Sequence, residues 1–360
     1  MRVGILTHYD VNNQGAQLQM YALYNQIKNM GHEPKVLSYT KNYDFEQIEK
    51  VRNQITIKSI PYLLKTYLID KGIGSMYFNT RKYLKNKKYR NEYFNIEYYS
   101  TANIECAVVG SDEVFSIPMG VNMMMYGHCV NTNKVFSYAP SFGQTSIELM
   151  ESYHCKNLIA SGIQNFTQLS ARDEHTKNII MELTGREATI VCDPVLLYDF
   201  SSVHAKVKLP NKRYILIYAY ERNMSSESEV EAIRAYAKKH GLITVSAGTY
   251  HKWCDVNIPC NCIEWIEYFR GAEAVITDTF HGAIVSIITH TPMAVLVRNL
   301  NVNKLTDLLK RTSTEQRRIK DVSLEELDRV FSSDTKFEVV EKSLNELRKV
   351  ANDYLIEALQ

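Results

Sequence analysis

Residues 274–288 read AVITDTFHGAIVSII, two apolar runs split by an acid, two hydroxyls and an imidazole. The run up to Thr277 is short and β-leaning, which predicts a buried strand. From Thr279 on, Phe280, Ile284, Ile287 and Ile288 recur every three or four positions, one face of a helix. Asp278 or Thr279 supplies the N-cap, its side-chain oxygen accepting an otherwise unpaired backbone N–H. His281 then sits in the first helical turn, at the carboxyl end of a strand. Unpaired N–H groups and the helix dipole favour an anion there. A capped turn with a solvated histidine has the same local pattern, so a site has to be argued from the other strand ends.

Working outward, the same alternation recurs. Arg2–Thr7 is a strand, Gly15–Met30 an amphipathic helix with Leu18, Ala22, Leu23 and Ile27 inward, and Lys35–Tyr39 a second strand after the C-cap Gly31. That βαβ unit predicts a parallel sheet. Residues 41–100 read as a mainly helical insertion. Strands follow at Cys106–Val109, Val135–Tyr138, Phe166–Ala171 and Thr189–Val191. Beyond the polar segment Lys206–Lys212, with its Pro210, the pattern restarts. Strand Tyr214–Tyr220, helix Ser226–His240, strand Leu242–Ala247 and helix Trp265–Arg270 precede the quoted unit, and strand Met293–Val297 follows it. A chain of 360 residues exceeds the roughly 250–300 at which single cores stop growing. The expected fold is α/β with two Rossmann-like domains, 1–205 and 206–335. A long amphipathic C-terminal helix, 336–360, is expected to pack back across both.

Composition is ordinary for a globular protein, with 45% hydrophobic and 23% charged residues. No stretch approaches about 18 consecutive apolar residues, and Met1 does not open a signal-peptide pattern, so a cytoplasmic protein is expected. Seven cysteines fit reduced thiols. Cys254, Cys260 and Cys262 cluster, but Cys-x-Cys is not a common zinc spacing, and no metal is expected. Residues 41–90 hold twelve Lys/Arg against four Asp/Glu, which leaves the rest of the chain at −6 within an overall +2. Tyrosines and Phe94 interleave with six cations in 81–99, RKYLKNKKYRNEYFNIEYY. Such a stretch suits a phosphorylated substrate or the inner face of a membrane, or else forms a solvated helix face with snorkelling lysines. No nucleic-acid motif accompanies it.

In a doubly wound fold the ligand lies where strand carboxyl ends and helix N-termini meet. Four polar turns are placed there: THYDVNNQGAQLQ with Asn12, Asn13 and Gly15; GSDEVF with Ser111 and Asp112; SARDEH with Arg172; and TDTFHG. The chain lacks G-x-G-x-x-G after the first strand, the G-x-x-x-x-G-K-[ST] loop, His-Glu-x-x-His and G-x-S-x-G. Standard dinucleotide, P-loop, zinc-protease and serine-hydrolase sites are thereby set aside.

The order and wording of these pieces resemble the polysaccharide pyruvyl transferase family. The matching segments are NNQGAQLQ (12–19), VVGSDEVF (108–115), SYAPSFG (137–143), SARD (170–173), DPVLL (193–197) and ITDTFHGAIVSI (276–287). The last, close to the family's T-D-S-F-H-G, is the most specific. Where the family usually reads G-S-D-Q-V-W-N, this chain has Glu113, Phe115 and Ser116. Asp173 stands where Glu is common, and Lys304 is the cation where an Arg is common. Lys at such a place loses bidentate carboxylate recognition.

The resemblance implies a GT-B-like fold and transfer of pyruvate from phosphoenolpyruvate to a sugar of a cell-surface polysaccharide or its precursor, forming a ketal. The donor is a substrate and no cofactor is implied. The acceptor is a sugar or lipid-linked oligosaccharide. On that reading His281 is general acid/base and anion contact, and Thr279, Gly282, Arg172 and Lys304 hold the donor. Asp112 is the base toward the sugar, while Asn12, Asn13, Gly15 and Ser111 shape the acceptor side. A nucleotide-sugar glycosyltransferase on the same architecture, or a non-catalytic polysaccharide assembly factor, are the alternatives.

Overall fold

The computed structural model describes residues 1–40, 72–118, 120–298 and 301–360. Most of the expected insertion, 41–71, lies outside the described residues.

Two wholly parallel sheets carry the fold. The first joins β1 (Arg2–Leu6), β2 (Glu33–Ser38), β3 (Ile96–Tyr98), β4 (Cys106–Val109) and β5 (Val135–Ser137) in the order β3-β2-β1-β4-β5. A two-stranded pair, β6 (Ser170–Ala171) and β7 (Thr189–Ile190), lies beyond it. The second sheet joins β8 (Tyr214–Tyr218), β9 (Ile243–Ala247), β10 (Val256–Ile258), β11 (Ala274–Thr277), β12 (Met293–Leu296) and β13 (Arg318–Ile319) in the order β10-β9-β8-β11-β12-β13. Each is a Rossmann-like 3-2-1-4-5 arrangement, the second with one more strand. Helices cover both faces, so central strands such as CAVV (β4) and AVIT (β11) are buried throughout and read as unbroken apolar runs.

The order reverses between β1 and β4 in the first sheet and between β8 and β11 in the second. Those two switch points are where ligands bind in open α/β sheets. The polar turns THYD and GSDEVF leave the first, and Tyr218-Ala219-Tyr220 and TDTFHG leave the second.

Several boundaries differ from the sequence reading. Phe166–Ala171 is strand only at Ser170–Ala171, because Thr167 and Gln168 bond to β5 across the sheet edge before regular pairing starts. Tyr214–Tyr220 stops at Tyr218, which frees Tyr220 to face solvent. The helix expected from Trp265 starts at Cys262, because Asn261 and Glu264 form a reciprocal capping box.

The basic 81–99 stretch is not a uniformly solvated face. It belongs mainly to a helix, Gly72–Tyr93, that turns Lys82, Asn86 and Arg90 inward. Tyr89 stacks on Tyr93 at 5.3 Å, and both pack with Tyr21 of the first helix, Gln14–Asn29.

One apolar cluster runs through both sheets, linking Leu18 and Tyr21 to Val195 and Leu196 and on to Trp265 and Phe269. The C-terminal helix Phe337–Leu359 adds Leu344, Leu355 and Leu359 to it. Burying each such side chain contributes about 2 kcal/mol. Polar ties from the same helix reach both sheets. Tyr354 Oη donates to the Ser137 carbonyl at 2.7 Å, Arg348 Nε to that of Leu196 at 2.8 Å, and Glu341 lies 2.7 Å from His290 Nε2. Among the described residues no helix is long and apolar enough to cross a membrane, and no group of His, Cys, Asp or Glu is placed to hold a metal ion.

Candidate active site

The TDTFHG turn is tied down from four sides. Thr277 Oγ1 donates to the Tyr218 carbonyl at 2.6 Å, fastening β11 to the end of β8, and accepts the Thr279 N–H at 3.1 Å. Thr279, not Asp278, is the N-cap, its Oγ1 accepting the Gly282 N–H at 3.0 Å. Asp278 is fully buried and anchors the turn instead, receiving Arg298 Nε at 2.7 Å and Asn223 Nδ2 at 2.6 Å. Burial pushes its carboxyl up, and Arg298 only partly offsets that. The N–H groups of Thr279 and Gly282 are therefore taken within the turn. The N–H groups of Phe280 and His281 have no backbone or side-chain acceptor among the described residues. A helix end of this kind presents such donors to an anion.

His281 carries its ring between the two halves. Nε2 lies 3.6 Å from Asp193 Oδ2 and makes no hydrogen bond among the described residues. The ring's other edge rests on Gly15: a Cβ there would overlap Nδ1 and Cγ of His281. Gly15 thus seats the imidazole from the acceptor side on which it was expected.

Arg172 is the buried cation of the site, only 5% exposed. Its guanidinium lies 4.9 Å from the centroid of the Phe280 ring, a cation–π contact. Asp112 Oδ1 is 3.7 Å away, Asp193 Oδ2 3.8 Å and Glu113 Oε1 3.9 Å, ion-pair distances but not hydrogen bonds. Nε and Nη1 have no hydrogen-bond partner among the described residues. Burial works against the charge, but the surrounding carboxylates outweigh it and hold the group protonated.

Asp112 has φ +81°, a left-handed backbone uncommon outside glycine. It is held there by Ser141 N–H donating to its carbonyl at 2.8 Å and by its own Oδ1 accepting the Glu113 N–H at 2.9 Å. Burial raises its carboxyl, but His8, Arg172 and His281 together pull it below the ordinary range. Glycine is required two residues earlier, since Gly110 has φ +122° and a Cβ would strike the Tyr138 carbonyl.

Asn12, Asn13, Asp112, Arg172, His281 and Lys304 all line one cleft of about 590 Å³ between the sheets. Thr279 lines it too. Asn13 caps the first helix, its Oδ1 accepting the N–H groups of Gly15 at 2.9 Å and Ala16 at 3.3 Å. Asn12 Oδ1 receives Asn86 Nδ2 at 3.0 Å from the Gly72–Tyr93 helix. Ser111 departs from expectation: it is 1% exposed and lies beneath the wall, its carbonyl accepting Thr7 Oγ1 at 3.0 Å. Lys304 Nζ reaches Glu113 Oε1 at 3.0 Å.

Three groups in or beside the cleft escaped the sequence reading. Asp193 was visible only as the acid of DPVLL, indistinguishable from the helix cap it also is: its Oδ1 accepts the Val195 N–H at 2.9 Å. The same carboxylate lies between Arg172 and His281 and takes Gln19 Nε2 at 2.5 Å. His8 directly follows β1, and its Nε2 lies 3.4 Å from the Glu113 carbonyl. Tyr220 was read as the end of a strand.

With this geometry in view, comparison with known proteins is informative. The sequence profile of the polysaccharide pyruvyl transferase family matches residues 13–299. No curated protein is significantly similar in sequence. Among solved structures, the chain is similar to a protein assigned as a UDP-N-acetylglucosamine 2-epimerase from Listeria monocytogenes, at 11% identity and TM-score 0.53, covering 99% of this chain and 95% of that one. It is also similar to the trehalose-6-phosphate synthase OtsA, at 9% identity and TM-score 0.53 over 100% and 99% of the two chains. The α,α-trehalose-6-phosphate synthase of Burkholderia multivorans matches at 8% identity and TM-score 0.51 over 100% and 98%. At such identities the likeness establishes the fold, a GT-B-like pair of Rossmann-like halves. Since the profile spans most of the sequence and includes the turns that bear Asp112, Arg172 and His281, the chain belongs to the polysaccharide pyruvyl transferase family and is a transferase.

Proposed function

We propose that the chain transfers pyruvate from phosphoenolpyruvate to two hydroxyls of one sugar, closing a ketal. One observation carries the reading. Arg172 Nε and Nη1 and His281 Nε2 are buried without hydrogen bonds among the described residues, beside a helix end whose first N–H groups are likewise unpaired there. A small, doubly charged anion satisfies such a set.

The donor's phosphate takes the N–H groups of Phe280 and His281, and Arg172 faces its negative charge. Lys304 reaches the donor only by leaving Glu113. His281 delivers a proton to the methylene carbon, which becomes a methyl group and leaves C2 electron-poor. Asp193 Oδ2, 3.6 Å from Nε2, faces the ring that passes this proton on. A sugar hydroxyl attacks C2 while Asp112 takes its proton. A carboxylate held low is a weak base, so this transfer accompanies formation of the C–O bond and does not precede it. The C2–O bond to phosphate then breaks, inorganic phosphate departs, and the second hydroxyl closes the ring with loss of its proton. Asn12 and Asn13 stand on the sugar side. The scheme uses no cofactor beyond the donor.

Thermal unfolding with phosphoenolpyruvate against a nucleotide sugar tests the reading. At a hundredfold excess over Kd the true ligand stabilises by about 2.7 kcal/mol. Stabilisation by phosphoenolpyruvate, with phosphate release once acceptor glycans are added, supports it. Stabilisation by the nucleotide sugar alone overturns it in favour of glycosyl transfer. Phosphoenolpyruvate binding without turnover across an acceptor panel points to an assembly factor. Full activity after His281→Ala or His281→Asn removes His281 from the scheme.

A further inference from the structure

A helix on a globular surface normally turns its apolar stripe inward and its charges outward. The helix Gly72–Tyr93 departs from this. Apart from Phe78, which packs on Tyr250, the residues it buries are polar. Ser75 Oγ donates to Glu221 at 3.2 Å, Lys82 Nζ to the Gly248 carbonyl at 3.0 Å, Asn86 to Gln14 at 2.9 Å, and Arg90 pairs with Asp10 at 2.7 Å. These ties reach both sheets, so the helix spans one side of the cleft. Its outward face carries Ile73, Tyr77 and Leu84, spaced four and seven residues apart on one side of the helix, with 69%, 62% and 54% of their surface exposed. Met76 and Tyr83 flank them and are exposed as well.

Cations border that apolar stripe. Arg81, Lys87 and Lys88 are exposed, and Arg81 lies 5.8 Å from the Tyr77 ring centroid. Against them stands Glu92, 3.9 Å from Lys88, with both side chains largely in solvent. At an overall charge of only +2, this positive surplus is local to the face.

We propose that the outward face of the Gly72–Tyr93 helix docks on an anionic lipid bilayer. Aliphatic and aromatic side chains flanked by Lys and Arg are the composition of helices that lie in the interfacial plane. Each cation near an anionic surface adds to the attraction, and the apolar stripe supplies the second attachment that stable anchoring requires. A protein partner would need carboxylates matched to three separated cations, whereas a lipid surface offers negative charge everywhere. Docking here puts the cleft wall, through Asn79 and Lys82 of the same helix, beside the headgroups. A saccharide carried on a lipid then arrives within reach of the site; that consequence, unlike the docking, rests on the proposed function.

The test is flotation of the full chain with vesicles of equimolar phosphatidylcholine and phosphatidylglycerol, and with phosphatidylcholine alone. The expected result is binding to the anionic vesicles only, weakened by salt. Tyr77→Ser with Leu84→Ser, and separately Arg81→Glu with Lys87→Glu and Lys88→Glu, each lower the partition coefficient at least tenfold. Transfer to a water-soluble acceptor by the Tyr77→Ser/Leu84→Ser variant is unchanged, which separates failure of docking from failure of the transfer reading. Undiminished binding by both variants overturns the proposal, as does absence of binding by the unaltered chain. So does sedimentation showing a dimer that the Tyr77→Ser/Leu84→Ser variant dissociates, since a second copy would then be the occupant.

Discussion

Lys304 Nζ lies 3.0 Å from Oε1 of Glu113, an ion pair that joins the GSDEVF turn of the first sheet to the helix Val302–Arg311 beyond the second. Both residues occupy positions where the family resemblance leads one to expect something else, Gln and Arg. The two departures are in contact and compensate one another, so they do not count as independent signs of lost turnover. Both side chains are partly exposed, at 24% and 37%, which limits the pair to about 1 kcal/mol or less. A double-mutant cycle with Glu113→Ala and Lys304→Ala is expected to give a coupling in that range by chemical denaturation. In kinetics, Glu113→Gln is expected to lower KM for the anionic donor, because Lys304 is released toward it. A raised KM would show that Glu113 itself orders the site.

Arg172 cannot be exchanged for another cation. Lysine would keep the charge but lose the planar contact with Phe280 and the Nε and Nη1 donors that none of the described residues satisfies. Arg172→Lys is expected to reduce kcat/KM at least about a hundredfold, or about 2.7 kcal/mol. The melting temperature should fall as well, because Asp112, Asp193 and Glu113 lose a matched partner.

Gly15→Ala isolates the seat of the imidazole. The helix would favour alanine by about 1 kcal/mol, so any loss must come from overlap with His281. Overpacking of this sort costs about 1–3 kcal/mol. The measurement is kcat alongside thermal stability: a drop of tenfold or more in kcat with a modest change in melting temperature is expected. An unchanged kcat would mean that the ring finds another position of equal use.

The acid limb of stability should report on Asp112. Its carboxyl is held low in the folded chain, so it favours folding above the unfolded-state value, about 3.9. That contribution fades as pH drops through the lower folded value. Asp112→Asn lacks it. The gap in melting temperature between the unaltered chain and this variant is expected to be widest at neutral pH and to close below about pH 4. A gap that grows with acidification would contradict the assigned surroundings.

The sequence exposed the architecture because both sheets are parallel and covered on both faces. Their strands therefore stand out as short apolar runs, each followed by a polar turn. That regularity also located Asp112 and His281, which leave strand ends at the switch points, and Arg172, which follows the short strand Ser170–Ala171. It could not separate a buried hydroxyl such as Ser111 from one on the wall, since both follow the same strand. Asp193 was hidden by its own local role: a cap before Pro194 explains an aspartate fully, and only the tertiary fold brings it to His281. The Gly72–Tyr93 helix misled for the opposite reason. Periodicity shows that two faces differ but not which one turns inward, and here the polar one does.

The contact between Gly15 and His281 crosses from one half of the molecule to the other. Shape in this place acts as a checkpoint: drawing the halves apart would remove the ring's support while leaving Phe280 and its neighbouring amides intact. In the proposed scheme an ajar molecule would also part Arg172 from those amides, so the donor would be neither fully held nor protonated. Water entering before the sugar would then find an unactivated enol ester, and the donor would be spared futile hydrolysis.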